Sequence, residues 1–215
     1  DDKKMIRKAQ NLWNEQFVDK FRFVQIEDSD ISLAKKKIRQ YVLNEGFDVF
    51  LYDTFKSGLD DVKDGNNWLQ LIKDSRELDK ICKKYNIIGL ANIQLAQAYV
   101  GTLFLDASLL SQSKQVKEIL ETLLLIRPTY QEELDKDNKK FYCRPFKRKL
   151  VGNKWIEEEY EADRTAVYRT LFFEKNRNGE RSNDNGVALL LKFNGASGVF
   201  TESAFCYPKH GRIQG

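Results

Sequence analysis

The sequence has very little of two residue types on which many active sites depend. Its 215 residues include one histidine, His210, and three cysteines, Cys82, Cys143 and Cys206. A single histidine argues against histidine-based metal sites and Ser-His-Asp triads within the chain. An odd number of widely spaced cysteines gives neither a disulfide framework nor a zinc signature, and it suits the reducing cytoplasm.

Proline is also scarce, and the charged first four residues do not have the pattern of a signal peptide. Three prolines together with 12% aromatic residues indicate a folded protein rather than a disordered one.

The formal net charge of +4 permits a nucleic-acid partner but does not demand one. Residues 85–105 are uncharged, but their glycines and amides favour a buried strand and a polar loop over a membrane span. The charged start without an initiator methionine indicates a piece of a longer protein.

Hydrophobic periodicity predicts helices alternating with strands over residues 1–126. This order is typical of an α/β protein with a mostly parallel sheet flanked by helices. We interpret residues 127–165 as a charged insertion, and residues 166–215 as a β-hairpin and a strand that complete the same domain. The predicted helices span 1–17, the segment from the cap at Ser29 or Asp30 to Gly46, and 68–85; the predicted strands are 21–26, 47–53, 87–91, 120–126, 166–174, 187–193 and 198–205.

An acidic residue ends one of the predicted buried strands. The apolar run 47–52 leads to Asp53, and ligands of open α/β sheets bind beyond the carboxyl ends of the strands. An aspartate in this position can orient Mg²⁺ against nucleotide phosphates. An aspartate that only caps a strand end explains the pattern equally well.

A neutral amide follows the next predicted strand. Residues 87–93 lead to Gln94, which should reach the same edge of the sheet as Asp53. Such an amide can hydrogen-bond a γ-phosphate or an attacking water. The alternative is an ordinary polar residue at the point where the chain leaves a strand.

Two cations occupy the tip of the predicted hairpin. Lys175 and Arg177 are two residues apart, so in an extended chain they point to the same side. Cations placed in this way can stabilise the charge of a phosphoryl-transfer transition state. A solvated turn is the alternative.

Together these segments resemble the RecA-like motor domain of the DnaB-type replicative hexameric DNA helicases. The resemblance covers most of residues 20–126 and 166–202. It implies that Asp53 is the magnesium acid, that Gln94 senses phosphate, and that Lys175 and Arg177 reach the ATP of a neighbouring subunit. Residues 111–116 lie where that family carries a DNA-binding loop, although this match is loose.

The chain departs from that family in lacking a phosphate-binding loop. The motif G-x-x-x-x-G-K-[ST] is absent, because none of the 12 glycines is followed by lysine. The family's catalytic glutamate also has no counterpart in a suitable place. We expect both to precede Asp1, so that the isolated chain is not an ATPase.

Basic residues indicate where DNA would bind. Lys114 follows residues 93–113, which are uncharged apart from Asp106, and Lys56 and Lys63 flank the loop after Asp53. The cations of residues 136–149 alternate with aromatic residues, but the acidic run 157–161 favours a solvated segment. We interpret Trp155 as a packing residue.

The sequence thus predicts a fragment of an ATP-dependent DNA helicase. Its cofactors would be ATP and Mg²⁺, and it would act on single-stranded DNA in the cytoplasm. The expected partners are further copies in a homo-oligomer, most simply a hexamer, and a primase or helicase loader. Two alternatives stay open: a recombinase or other ring ATPase, and a non-catalytic DNA-binding scaffold. The Lys-x-Arg element favours the helicase over the recombinase.

Overall fold

The computed structural model describes residues 2–26, 31–55, 66–94, 99–110 and 114–213. The chain divides into two compact units, one made of residues 1–57 and 73–94 and the other of residues 58–72 and 95–215. Nowhere in the described ranges is a helix both long enough and apolar enough to cross a membrane.

The first unit contains a two-stranded parallel sheet. Its strands pair in register, with Val49 opposite Ile88 and Tyr52 opposite Ala91. Two helices precede the first strand, and a third helix, whose first residues belong to the second unit, connects the two strands. The elements are α1 (Asp2–Gln16), α2 (Ile31–Glu45), β1 (Val49–Phe55), α3 (Asn66–Tyr85) and β2 (Ile88–Ile93).

Close packing between α3 and the parallel sheet depends on Gly89. A Cβ atom at this position would lie 2.6 Å from Cζ of Phe50 and 2.8 Å from Sγ of Cys82 in α3. Glycine is therefore required for the strand to approach its neighbours this closely. On the opposite face of the two strands, the apolar side chains of Leu51 and Leu90 are exposed.

The second unit is built on a six-stranded antiparallel sheet. The strand order is β3-β6-β7-β8-β4-β5, and every neighbouring pair is antiparallel. A short 3-10 helix at Ala107–Leu110 precedes α4. The elements are α4 (Lys114–Ile119), β3 (Thr122–Pro128), α5 (Gln131–Leu134), β4 (Phe146–Val151), β5 (Lys154–Glu159), β6 (Val167–Asn176), α6 (Ser182–Asn185), β7 (Ala188–Asn194) and β8 (Val199–Cys206).

One face of the antiparallel sheet carries the core of this unit. Buried and exposed side chains alternate along β3, as the two-residue period of a strand requires. Within the core region, the guanidinium of Arg127 donates two hydrogen bonds of 2.7 Å to the carboxylate of Glu133, and both side chains are buried. The core cluster comprises Phe104, Leu105, Leu123, Leu125, Leu134, Cys143, Tyr168, Phe172, Ala188, Leu190, Ala204 and Cys206.

The predicted fold class is wrong. We expected a RecA-like, mostly parallel sheet flanked by helices, but the described part of the chain forms one parallel pair of strands and a six-stranded antiparallel sheet. The decisive strand is β3, which the sequence placed in the parallel sheet. The alternation of helices and strands over residues 1–126 led to this assignment, whereas every second residue of β3 is exposed, as in an antiparallel strand with one covered face.

Two further segments differ from the prediction, and one agrees. Residues 21–26, expected to form a strand, have no regular secondary structure. Within the segment 127–165, β4 and β5 form antiparallel strands in which residues of opposite charge stand opposite each other, such as Lys147 and Glu158, so no regular apolar alternation reveals them. The predicted hairpin is confirmed, since β6 and β7 are antiparallel neighbours.

Candidate functional site

The carboxyl ends of β1 and β2 bring together an acid and an amide. Because the strands are parallel neighbours, their last residues lie at the same edge. The Nδ2 of Asn92 donates a hydrogen bond of 3.1 Å to Oδ1 of Asp53. The hydroxyl of Thr54 donates a hydrogen bond of 2.7 Å to the carbonyl of Asn92. These two bonds hold the carboxylate of Asp53 in a defined orientation at the strand end.

This edge is accessible to a ligand. Asp53, Asn92 and Gln94 are all exposed, and Gln94 is the first residue after β2. Among the described residues, no group of three or more His, Cys, Asp or Glu side chains could hold a metal ion. A single carboxylate fits Mg²⁺ that arrives with nucleotide phosphates, because such Mg²⁺ is usually held by one or two carboxylates, phosphate oxygens and water. The donors present therefore suit a magnesium–nucleotide complex better than a resident metal.

Lys175 binds the end of a helix in its own chain. Its ammonium donates hydrogen bonds of 2.5 Å to the carbonyl of Lys117 and 3.2 Å to that of Glu118, in the last turn of α4. A cation at a helix C-terminus satisfies carbonyls that have no partner within the helix. Burial lowers the pKa of Lys175 from its ordinary value, and the positive charge of Arg177 lowers this pKa further.

Arg177 pairs with an acid that follows α4. Its Nη1 lies 2.7 Å from Oε1 of Glu121, and both side chains are more than half exposed. Exposed ion pairs contribute only about 0–1 kcal/mol to stability. Arg177 can therefore exchange Glu121 for another anion at small cost, whereas Lys175 would have to leave two helix carbonyls.

A buried carboxylate completes the same contact region. Glu174, with 1% of its side chain exposed, accepts hydrogen bonds from the ammonium of Lys117 and, at 2.6 Å, from Nδ2 of Asn183. Residues 174, 175 and 177 at the end of β6 thus all contact the segment 117–121. We name this group of contacts the α4 clamp; it is made by Glu174, Lys175 and Arg177 with Lys117, Glu118 and Glu121.

The three lysines predicted to bind DNA remain predictions. Lys56 and Lys63 lie outside the described residues. Lys114 is the first residue of α4, and its side chain is also outside the described part. The backbone of Lys114 therefore leads directly into the helix whose last turn the α4 clamp holds.

The sequence ended the first strand at Asp53, whereas β1 continues to Phe55; Gln94 directly follows β2. The prediction missed the residues that orient the neighbouring groups. Asn92, the partner of Asp53, could have been found because it stands two residues before Gln94 at the end of the same apolar run. Glu174 directly precedes Lys175 and interrupts an alternation of apolar residues at a buried position. Its partner Lys117 is 57 positions away in sequence, and no local signal connects the two.

Comparison with known proteins adds no family to these observations. No protein-family model matches the chain, and no curated protein matches it significantly. The argument for a function therefore depends on the chain's own residues and their geometry.

Proposed function

We propose that this chain is part of an ATP-driven motor that moves along single-stranded DNA, as replicative hexameric helicases do. The observation that carries the proposal is the hydrogen bond between Asn92 and Asp53, which fixes an exposed carboxylate at the common carboxyl edge of two parallel strands. The Lys-x-Arg element at the end of β6 supports it. The motor would act in the cytoplasm as a homo-oligomer, most simply a hexamer, and a primase or loader would be its partner.

In this proposal Asp53 holds the water shell of Mg²⁺ bound to ATP. Bound Mg²⁺ neutralises charge on the β- and γ-phosphates during transfer. Asn92 keeps the carboxylate of Asp53 pointing outward, and Gln94 contacts the γ-phosphate or the attacking water. The 215 residues contain no phosphate-binding loop, so another segment has to supply it.

Arg177 acts on the nucleotide of a neighbouring copy. It leaves the exposed carboxylate of Glu121 and pairs with the transferring phosphoryl group, where a second cation stabilises developing negative charge. Lys175 stays at the end of α4 and positions the turn that carries Arg177. The α4 clamp then connects the residue that meets phosphate with the helix that begins at Lys114.

Replacing Arg177 by alanine in the complete protein tests this function. We expect ATP hydrolysis to fall by about a thousandfold, because arginine fingers contribute about 10³–10⁵ in rate. Nucleotide binding, measured with a fluorescent ATP analogue, should change little. Single-stranded-DNA-stimulated hydrolysis and strand separation should be lost together.

A matched arginine in the same turn provides the control. Arg181 pairs with Asp184 through two hydrogen bonds of 2.8 and 2.7 Å. Arg181→Ala should leave hydrolysis unchanged, and Glu121→Ala, which only frees Arg177, should not lower it. Equal activity of the Arg177→Ala and Arg181→Ala variants would contradict the proposal.

The α4 clamp also favours a second candidate, a DNA-binding scaffold without catalysis. Both cations of the Lys-x-Arg element have partners within their own chain, as residues with a purely structural role would. In that case Arg177→Ala would lower the stability of the second unit and leave ATP turnover by the complete protein unaffected. The same experiment therefore separates the two candidates.

A further inference from the structure

The hairpin of β4 and β5 projects from the antiparallel sheet. Among the residues that the structure describes, its only pairing with the rest of the sheet is between Phe146 and Phe205, and from Lys147 to Glu158 the two strands pair only with each other. A turn of two residues, Gly152 and Asn153, joins the strands, and Gly152 has a φ of 60°, as the first residue of a tight hairpin turn allows. We name residues 149–156 the hairpin tip.

The hairpin tip exposes a large aromatic residue. Trp155 lies opposite Leu150 on one face, and the side chains are 68% and 54% exposed. Tryptophan normally packs inside a protein or against a partner, because burying its ring is strongly favourable. The sequence led us to interpret Trp155 as a packing residue, but the structure leaves its ring in solvent.

The charges of the hairpin are separated along its length. The hairpin tip contains Lys149 and Lys154 and no acidic residue, whereas Glu157, Glu158 and Glu159 all lie nearer the sheet. Lys149 lies 4.0 Å from Oε2 of Glu158, an exposed pair that another anion can replace at small cost, whereas Lys154 forms no ion pair within the described residues. The tip is therefore positively charged as well as apolar.

The exposed aromatic ring and the positive charge together indicate which kind of partner the hairpin tip binds. A second copy of the chain that docked tip to tip would place like-charged lysines against each other, since a two-fold interface brings the same patch of both copies together. Single-stranded nucleic acid instead offers phosphates for the lysines and unpaired bases that stack on aromatic rings. Lys149 and Lys154 lie on the face of the hairpin opposite Trp155. Because strands in a sheet are about 4.8 Å apart, the hairpin is narrow, and these lysines can reach around its edge to the phosphates of a nucleic-acid strand whose base stacks on Trp155.

We propose that the hairpin tip is a binding site for single-stranded DNA, in which Trp155 stacks on a base and Lys149 and Lys154 contact phosphates. The proposed motor function suggests the choice of DNA. The site itself requires neither ATP nor the edge at Asp53. Binding measured without ATP and Mg²⁺ therefore tests the hairpin tip whether or not the motor function is correct.

The test is a titration of a fluorescently labelled thymidine oligomer of about 20 nucleotides with the chain, followed by anisotropy; a strand of this length exceeds the site size of one small binding domain. We expect Trp155→Ala and Trp155→Leu each to weaken binding about tenfold, because neither side chain can stack on a base. Trp155→Phe should stay within about threefold of the original affinity, because a phenyl ring still stacks. Phe200→Ala, which removes another exposed ring from the same sheet, should have no effect.

Salt dependence tests the role of the lysines. Each phosphate contact to a single strand contributes about 0.7 to the slope of log K against log salt concentration. Lys154→Ala should lower this slope by about that amount, and alanine at the exposed Lys209 should not change it.

Two results would contradict the proposal that the hairpin tip binds DNA. One is equal DNA affinity of the Trp155→Ala and unmodified chains. The other is a self-association that sedimentation detects and that Trp155→Ala abolishes while DNA affinity is kept, since the hairpin tip would then be a protein interface. Circular dichroism of each variant should match that of the original chain, because Trp155 is exposed and its removal leaves no cavity.

Discussion

Glu77 shows how two lysines control the protonation of one carboxylate. Its oxygens accept hydrogen bonds of 2.5 Å from Lys35 of α2 and 2.8 Å from Lys80, one turn along α3. Hydrogen bonds and positive charge from Lys35 and Lys80 lower the pKa of Glu77 from 4.5 to about 2. Lys35 thereby connects α2 with α3 through a carboxylate that stays ionised at acid pH.

This pKa predicts how stability changes with pH. A lowered carboxylate pKa stabilises the folded state above the unfolded value of 4.5, and this contribution is lost as pH falls through 4.5 towards about 2. Glu77→Gln should therefore reduce the loss of stability across that range. The measurement is the urea midpoint as a function of pH. Glu132→Gln in α5 is the control, and identical pH profiles for the two variants would show that the lysine contacts of Glu77 do not affect folding.

At the scale of elements, the contact between β2 and α3 depends on the absence of a single side chain. Gly89 faces Phe50 and Cys82 at distances that no Cβ atom could keep. Gly89→Ala should destabilise the first unit by about 1–3 kcal/mol, because overpacking forces side chains or backbone to move. Denaturant unfolding of the variant measures this cost.

A matched glycine separates this crowding from a general effect of alanine. At Gly195 the nearest atom to an added Cβ would be Cε1 of Phe193 at 3.7 Å, an ordinary contact. Gly195→Ala should therefore change the free energy of unfolding little. If both variants unfold alike, close packing at Gly89 is not what positions β2, and the edge that holds Asn92 depends on something else.

Sequence patterns correctly predicted several of the helices and strands. The 3.6-residue period predicted α1, α2 and α3, and alternation predicted the pairing of β6 with β7. These patterns are local, since they repeat every two or 3.6 residues along the chain. In the hairpin of β4 and β5, charged residues of opposite sign stand at opposite register positions, such as Arg148 and Glu157, so hydrophobic alternation could not reveal it.

At the scale of the whole molecule, the missing phosphate-binding loop makes a simple prediction. The 215-residue chain should not hydrolyse ATP detectably, because it lacks the motif G-x-x-x-x-G-K-[ST]. The backbone amides and the lysine of that motif are the groups that hold the phosphates. A phosphate-release assay with and without single-stranded DNA measures this. Robust turnover that Asp53→Asn abolishes would mean that a different nucleotide site exists in the chain.

The sequence by itself determined α1, α2 and α3, the strand that contains Asp53, the pairing of β6 with β7, and the scarcity of histidine and cysteine. These follow from residue type and from periods of two or 3.6 residues, which depend only on near neighbours in the chain. The tertiary structure decided which strands pair and in which direction, as β3 shows, because an apolar run is compatible with several sheets until its neighbours are known. It also decided that Asn92 orients Asp53, that Glu174 meets Lys117, and that Trp155 is exposed. The first two contacts join residues that are distant in sequence, and the exposure of Trp155 depends on the absence of a packing partner. A local sequence pattern contains neither kind of information.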